Sequence, residues 1–270
     1  MRTRVAALVV LCMLAAGSAS AQYTFGGSGR ATGENYHVEL SGFFWNPTPE
    51  LFVTSESLQI IGSRIDFNED LGIETKRMTQ MRVVGRPATR HKFRFEYTPI
   101  KYSSRSILNR DITFAGTRFP VSVPVESQLT WRAYRFGYEY DFLYRDRFFV
   151  GLLLDVKYTD VEASIASTNL PLSESVRARA PIPAIGVVGR GYVTSNISIT
   201  GEFSAFKWPD SIDEDYSGRY YDFDIYGTVN FTDNFGFQAG YRSLQVFYKV
   251  EGDEGDFSIK GLYFGGIVRF

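Results

Sequence analysis

From Tyr36 to Phe270 the chain alternates apolar and polar side chains, one for one, in segment after segment. Successive side chains of a strand point to opposite faces, so this pattern predicts strands with one apolar side. The first carries Tyr36, Val38, Leu40 and Phe44 against His37, Glu39 and Ser41. A weaker one sets Met81 and Val83 against Gln80 and Arg82. Phe93, Phe95 and Tyr97 then oppose Lys92, Arg94 and Glu96, and Tyr134, Phe136, Tyr138 and Tyr140 oppose Arg135 and Glu139. Further on come Phe148 to Tyr158 against Asp155 and Lys157, Pro183 to Val187 against Arg190, and Ile197 to Phe203 against Glu202. Tyr221 to Val229 oppose Asp222 and Asp224, and Phe235 to Tyr241 oppose Gln238 and Arg242. The last segment places Leu262, Phe264, Gly266, Val268 and Phe270 on one face. Ten strands result, with eight or twelve as alternatives. Pro181 and Pro183 demote the outer end of the sixth.

The connections alternate in length. Short polar turns sit at 86–89, 143–146, 194–196 and 232–234, the last two sharing a Thr-x-Asn pattern. Long connections are expected at 47–75, 102–128, 161–179, 208–218 and 249–256. Short turns at one end and long loops at the other are the arrangement of a transmembrane β-barrel, with turns and termini in the periplasm.

Residues 1–21 have the layout of a cleaved secretory signal: Arg2 and Arg4, an apolar run from Val5 to Ala16, then Ala19-Ser20-Ala21. The single cysteine, Cys12, falls inside it, so residues 22–270 hold no thiol for a disulfide or metal site. No later apolar run is long enough for a helical span. Mean hydropathy is only −0.14. Yet 23 Phe, 17 Tyr and 25 Gly suit a barrel whose lipid-facing and lumen-facing residues alternate. A net charge of −1 gives no basic excess for nucleic acid. One barrel domain over 22–270 is the simplest organisation.

The signal, the strand pattern and the terminal aromatic together resemble the small bacterial outer-membrane β-barrels of the OmpA, OmpW and opacity-protein kind. The segment Gly62 to Gly72 is similar to one recurring in such barrels. The resemblance implies an all-β antiparallel barrel in the cell outer membrane. It also implies that Leu262, Phe264, Val268 and Phe270 are read by the barrel-assembly machinery. It implies no activity and no cofactor.

Three constellations bear on function. The polar faces carry Arg82, Arg86, Lys92, Arg94, Arg135, Lys157, Arg190, Arg242 and Arg269, with Glu39, Glu96, Glu139, Asp141, Asp155, Glu202, Asp222 and Asp224. Signs that nearly balance inside a barrel this narrow predict an ion-paired plug, because unpaired charges away from water are costly. A narrow porin-like channel is the alternative. Second, the lipid-facing stripes, followed to the loop ends, reach Arg77, Lys101, Arg132, Arg179, Lys207, Arg219, Lys249 and Lys260. These predict a basic collar for the phosphates of lipopolysaccharide, with snorkelling as the bland alternative. The opposite ends carry Tyr36, Phe93, Phe142, Phe148, Phe231, Phe235 and Phe270, an interfacial aromatic girdle. Third, Asp66-x-Asn68-x-Asp70 has alternating oxygens. Leu71 and Arg77 stand where a calcium loop needs Gly and Glu, so a turn is expected. The histidines, His37 (expected to face inward) and His91, have no nucleophile at useful spacing, which argues against an enzyme. The acidic stretches at 210–215 and 251–256 read as solvated exterior.

Overall fold

The computed structural model describes residues 31–54, 64–208, 216–250 and 253–270. The expected signal segment, with Cys12, lies outside the described residues, as do residues 55–63, 209–215 and 251–252.

Ten long strands build the described chain: β1 Val38–Thr54, β2 Met78–Ala88, β3 His91–Ile107, β4 Pro124–Arg145, β5 Phe148–Ser167, β6 Ser173–Tyr192, β7 Ile197–Lys207, β8 Tyr216–Asn230, β9 Phe235–Val250 and β10 Asp253–Arg269. Each pairs antiparallel with the next, and β10 pairs with β1 from Arg269↔Glu39 to Glu254↔Thr54. The sheet therefore closes on itself into a barrel. Phe270 completes the seam: its N–H donates to the Val38 carbonyl at 2.9 Å, and its own carbonyl accepts from His37 N at 2.7 Å. β10 lies close against β1 because a Cβ at Gly265 would run into the Gly42 carbonyl and the Phe43 ring.

The Thr-x-Asn turns fold as the pattern suggests. The Thr194 hydroxyl accepts from Ile197 N at 3.1 Å, and Thr232 accepts from Phe235 N at 3.0 Å. A hydroxyl that caps the next amides fixes each tight reversal.

The long connections are shorter than expected, because the strands run on into them. β4 has 22 residues and β5 has 20, whereas about 9–11 suffice to cross a bilayer. The extra length reverses its polarity. On β5, Phe148, Leu152, Leu154, Val156 and Tyr158 point outward in the turn-side half, with Asp155 and Lys157 inside. Beyond Thr159 the inward residues are Val161, Ala163 and Ile165, and Glu162 and Ser164 take the outer face. An apolar exterior suits lipid, and an apolar interior suits water outside. The strand therefore reads as leaving the membrane near Tyr158.

The upper interior is a packed apolar core around Trp45, Ile100, Leu129, Trp131, Phe257 and Ile259. Ile65, Phe67 and Leu71 cap it, together with a small hairpin, Ile112–Phe114 with Thr117–Phe119, that buries Ile112, Phe114 and Phe119. Asp66 and Asp70 belong to this cap. Asp66 Oδ1 accepts from Asn68 N at 2.8 Å and Glu69 N at 3.1 Å, the expected turn. Asp70 accepts from Arg110 Nε at 2.9 Å. Burial alone would raise the Asp70 carboxyl, but the bonds from Arg110 and from Asp66 N hold it below its usual range.

Candidate functional site

The polar interior of the membrane half is one network. Its cations and anions join in a chain that alternates in sign: Asp224–Arg82–Glu96–Arg242–Asp222–Lys157–Asp155–Arg135–Glu202–Arg94–Glu139–Lys92–Asp141. Arg82 lies 3.1 Å from Glu96 and 3.3 Å from Asp224, and Lys157 lies 2.7 Å from Asp222. Tyrosines take up remaining lone pairs: Tyr226 donates to Glu202 and Tyr263 to Asp224, both at 2.8 Å. Period two explains the convergence, since each strand sends every second side chain inward. Arg82, Arg94, Glu96, Arg135, Glu139, Asp155, Lys157, Arg190, Glu202, Asp222, Asp224 and Arg242, all expected in the lumen, are buried there.

Two placements differ from expectation. Tyr36 points inward, buried beneath the guanidiniums of Arg86 and Arg269 at 5.3 and 5.6 Å from its ring, and His37 is exposed. The alternation begins only at Val38, where β1 starts; before it the chain turns into the barrel mouth. Tyr36 is therefore not part of the outer girdle. His91 Nδ1 sits 2.7 Å from the Tyr138 hydroxyl at the turn end.

The segment 31–36 also brings in a residue that periodicity could not find. Glu34 is buried, with Oε1 at 2.9 Å from Arg190 Nη1 and 2.7 Å from the Tyr192 hydroxyl, and Oε2 at 3.3 Å from Arg86 Nη1. Its neighbours are tied down as well. Thr32 N donates to the Ser195 carbonyl at 2.7 Å, Gly33 N to Asp233 Oδ1 at 2.7 Å, and Asn230 Nδ2 to the Thr32 carbonyl at 2.6 Å. Arg269 meets Glu39 at 2.7 Å beside them. Burial would raise the Glu34 carboxyl, but Arg190 and Arg86 bring it down to about 2. Among the described residues, with Glu34 the nine buried cations of the lumen face nine buried anions. The strands alone leave one cation in excess, and that imbalance was the available signal.

At the opposite end, a row of neighbouring tyrosines marks the limit of the apolar belt. Tyr97 and Tyr134 lie 4.8 Å apart, and Tyr134 and Tyr158 lie 6.3 Å apart. The proposed collar residues stand beyond them: Arg132 is two residues past Tyr134, Arg219 two past Tyr221, and Lys101 four past Tyr97. Lys207 pairs in register with Arg219. Arg77, Lys101, Arg179, Lys207, Arg219 and Lys249 are exposed, and Arg132 and Lys260 are partly so. Several have protein partners. Lys260 meets Glu50 at 2.6 Å, Arg77 Nε donates to Asn46 Oδ1 at 3.1 Å, and Arg132 and Arg179 share Asp160 at 3.5 and 3.4 Å.

A closed antiparallel barrel with a lipid-facing belt and a polar, filled interior is a transmembrane β-barrel of the outer-membrane type. The outer-membrane protease OmpT from Escherichia coli has the same fold, at 9% identity and a TM-score of 0.59, covering 89% of this chain and 98% of that one. Weaker likenesses are the translocator domain of the autotransporter NalP from Neisseria meningitidis (9% identity, TM-score 0.43, 99% and 98% coverage) and the attachment invasion locus protein Ail of Yersinia pestis (9%, 0.40, 87% and 99%). No protein-family model matches the chain, and no curated protein matches it significantly. The likeness to OmpT shows the fold of an outer-membrane barrel without singling out the OmpA, OmpW or opacity-protein kind.

Proposed function

We propose that this protein is an integral outer-membrane barrel that serves a structural or envelope-interaction role, has a closed lumen and contacts lipopolysaccharide. The observation that carries the reading is the filled interior. From the turn end upward it holds the Glu34 segment, the alternating ion chain and an apolar core under a loop cap. Charges so buried stand only when paired, and the hollow bounded by Glu96, Arg135, Lys157 and Arg242 holds only about 20 Å³. Purified protein in a planar bilayer should show no steady conductance. Large, stable steps would overturn the closed lumen and favour the porin-like channel.

The lipopolysaccharide contacts rest on the one-sided placement of the basic rim just beyond the tyrosines, where phosphates would accept charge-assisted hydrogen bonds. Arg132→Glu, Arg179→Glu, Lys207→Glu and Arg219→Glu combined should reduce co-purifying lipopolysaccharide. Retention equal to wild type would reduce the rim to snorkelling. We read the chain as non-enzymatic. That rests on its histidines, both near the turn end, with His91 engaged by Tyr138.

A further inference from the structure

Among the described residues, the barrel wall is thin on the β7 side of β6. β6 pairs with β5 along its whole length, from Ser173↔Ala166 to Gly191↔Phe148. Its pairing with β7 runs only from Tyr192↔Ser198 to Ile185↔Ala205. β7 then pairs with β8 as far as Lys207↔Arg219 and ends, 11 residues long against 20 for β6. The stretch from Ser173 to Ala184 therefore has no strand partner on its β7 side. Pro183 and Pro181 stand just past the last pair. They share parity, so neither offers an N–H to a further ladder, and proline is tolerated at such an edge.

Behind this edge lies a hollow of about 350 Å³, floored by Trp131 and walled by Val161, Ala163, Ile182, Val246 and Phe257. A second, of about 240 Å³, adjoins it across Ala180 and Ile182 and is bounded by Pro183, Phe206 and Trp208. The pair lies in the size range of small-molecule sites, about 300–1,000 Å³. Its lining is apolar, and its rim is basic. Arg177 and Arg179 rise from the same free-edged strand and, with Arg132, place three guanidiniums on the single carboxylate of Asp160. Glu162, 3.9 Å from Arg177, is the other acid beside them, so cations exceed anions there. The opening starts level with Tyr158, which pairs in register with Pro181. That is the boundary of the belt that faces lipid.

We infer that this side opening is a binding site for one acyl chain of an anionic amphiphile, the chain against Trp131 and Phe257 and the head at Arg177 and Arg179. An apolar, water-poor hollow accepts hydrocarbon because burial removes apolar area from water. At roughly 30 Å³ per water-sized group, the larger hollow takes on the order of ten methylenes. The excess guanidinium charge selects a carboxylate or phosphate head over a neutral one. The chain could arrive as a free fatty acid or as part of a membrane lipid. The cavity chemistry is the same for both.

Bromine quenches tryptophan fluorescence on contact, and Trp131 forms the floor. The whole protein in phosphatidylcholine nanodiscs would be titrated with 11-bromoundecanoate. Saturable quenching, competed by undecanoate and largely lost in Trp131→Phe, is expected. Ala163→Phe should fill the hollow and abolish saturation, with its folding checked by heat-modifiable gel mobility. The variant Arg177→Gln/Arg179→Gln, which keeps the apolar wall of the hollow, should raise the half-saturating concentration about tenfold. Saturation with the free acid alone assigns the site to fatty acid. Saturation also with phosphatidylglycerol brominated on one acyl chain assigns it to membrane lipid, and either result supports the site. Linear quenching with both probes, or saturation that Ala163→Phe and Trp131→Phe leave unchanged, would overturn it.

Discussion

Glu34→Gln should release the segment that closes the turn end of the barrel. Glutamine keeps the volume and can still accept from Tyr192. It cannot balance Arg190 at 2.9 Å and Arg86 at 3.3 Å, which would be left as a buried pair of cations. The size follows from the carboxyl itself, which is brought from an ordinary 4.5 down to about 2 in the folded barrel. At about 1.4 kcal/mol per tenfold change in proton affinity, the ionised form contributes about 3 kcal/mol. The folded value is depressed, so this contribution is fully present above pH 4.5 and is lost as the pH falls toward 2. Hydrogen exchange at Thr32 and Gly33 reads the segment directly, because both amides are donors to the turn region. At neutral pH the variant should exchange them roughly two orders of magnitude faster, while amides in β4 and β5 stay unchanged. Wild-type protein should show the same loosening only on acidification through that window. Exchange in the variant equal to wild type at neutral pH would refute the idea that this carboxylate holds the segment.

Deleting Phe270 should lower the amount of heat-modifiable barrel in the outer membrane, as docking of a final strand edge on the assembly machinery requires; normal assembly would reject its role as a signal. Arg242→Leu strands Asp222 and Glu96, so the folded gel form should disappear at a lower temperature, by about 3–5 kcal/mol of stability. Adding Asp222→Leu should recover part of that loss, and no recovery would mean that the two do not act as a pair. Gly265→Ala forces a methyl against the Gly42 carbonyl at the seam and should cost about 1–3 kcal/mol, read as the urea midpoint for loss of the folded form. An unshifted midpoint would show that the seam has slack.

Alternation made the ten strands legible from Val38 to Phe270, and connection length made the topology legible, because both depend on local chemistry. The upper half of the barrel was harder to read. There Val161, Ala163 and Ile165 alternate with Glu162 and Ser164 as regularly as below, but with inside and outside exchanged. Sequence alone gives the period and leaves open which face meets water, so these stretches look like loops. Tyr36 was misplaced for a related reason: it continues the count of β1 by parity but precedes the strand, and the chain bends inward before it. Glu34 carries no periodicity at all. It was visible only as a missing negative charge.

The ion chain also bears on how the barrel is made. Three of its links join residues far apart in sequence: Arg82 to Asp224, Glu96 to Arg242, Arg94 to Glu202, with separations of 142, 146 and 108 residues. None of these partners can meet until the early and late strands face each other across a closed ring. An unfinished sheet can form the pairs between neighbouring strands, such as Arg82–Glu96 and Arg135–Asp155, but not these three. In lipid, where a charge without a full set of partners is costly, the cross-lumen links therefore favour the closed ring over any open sheet.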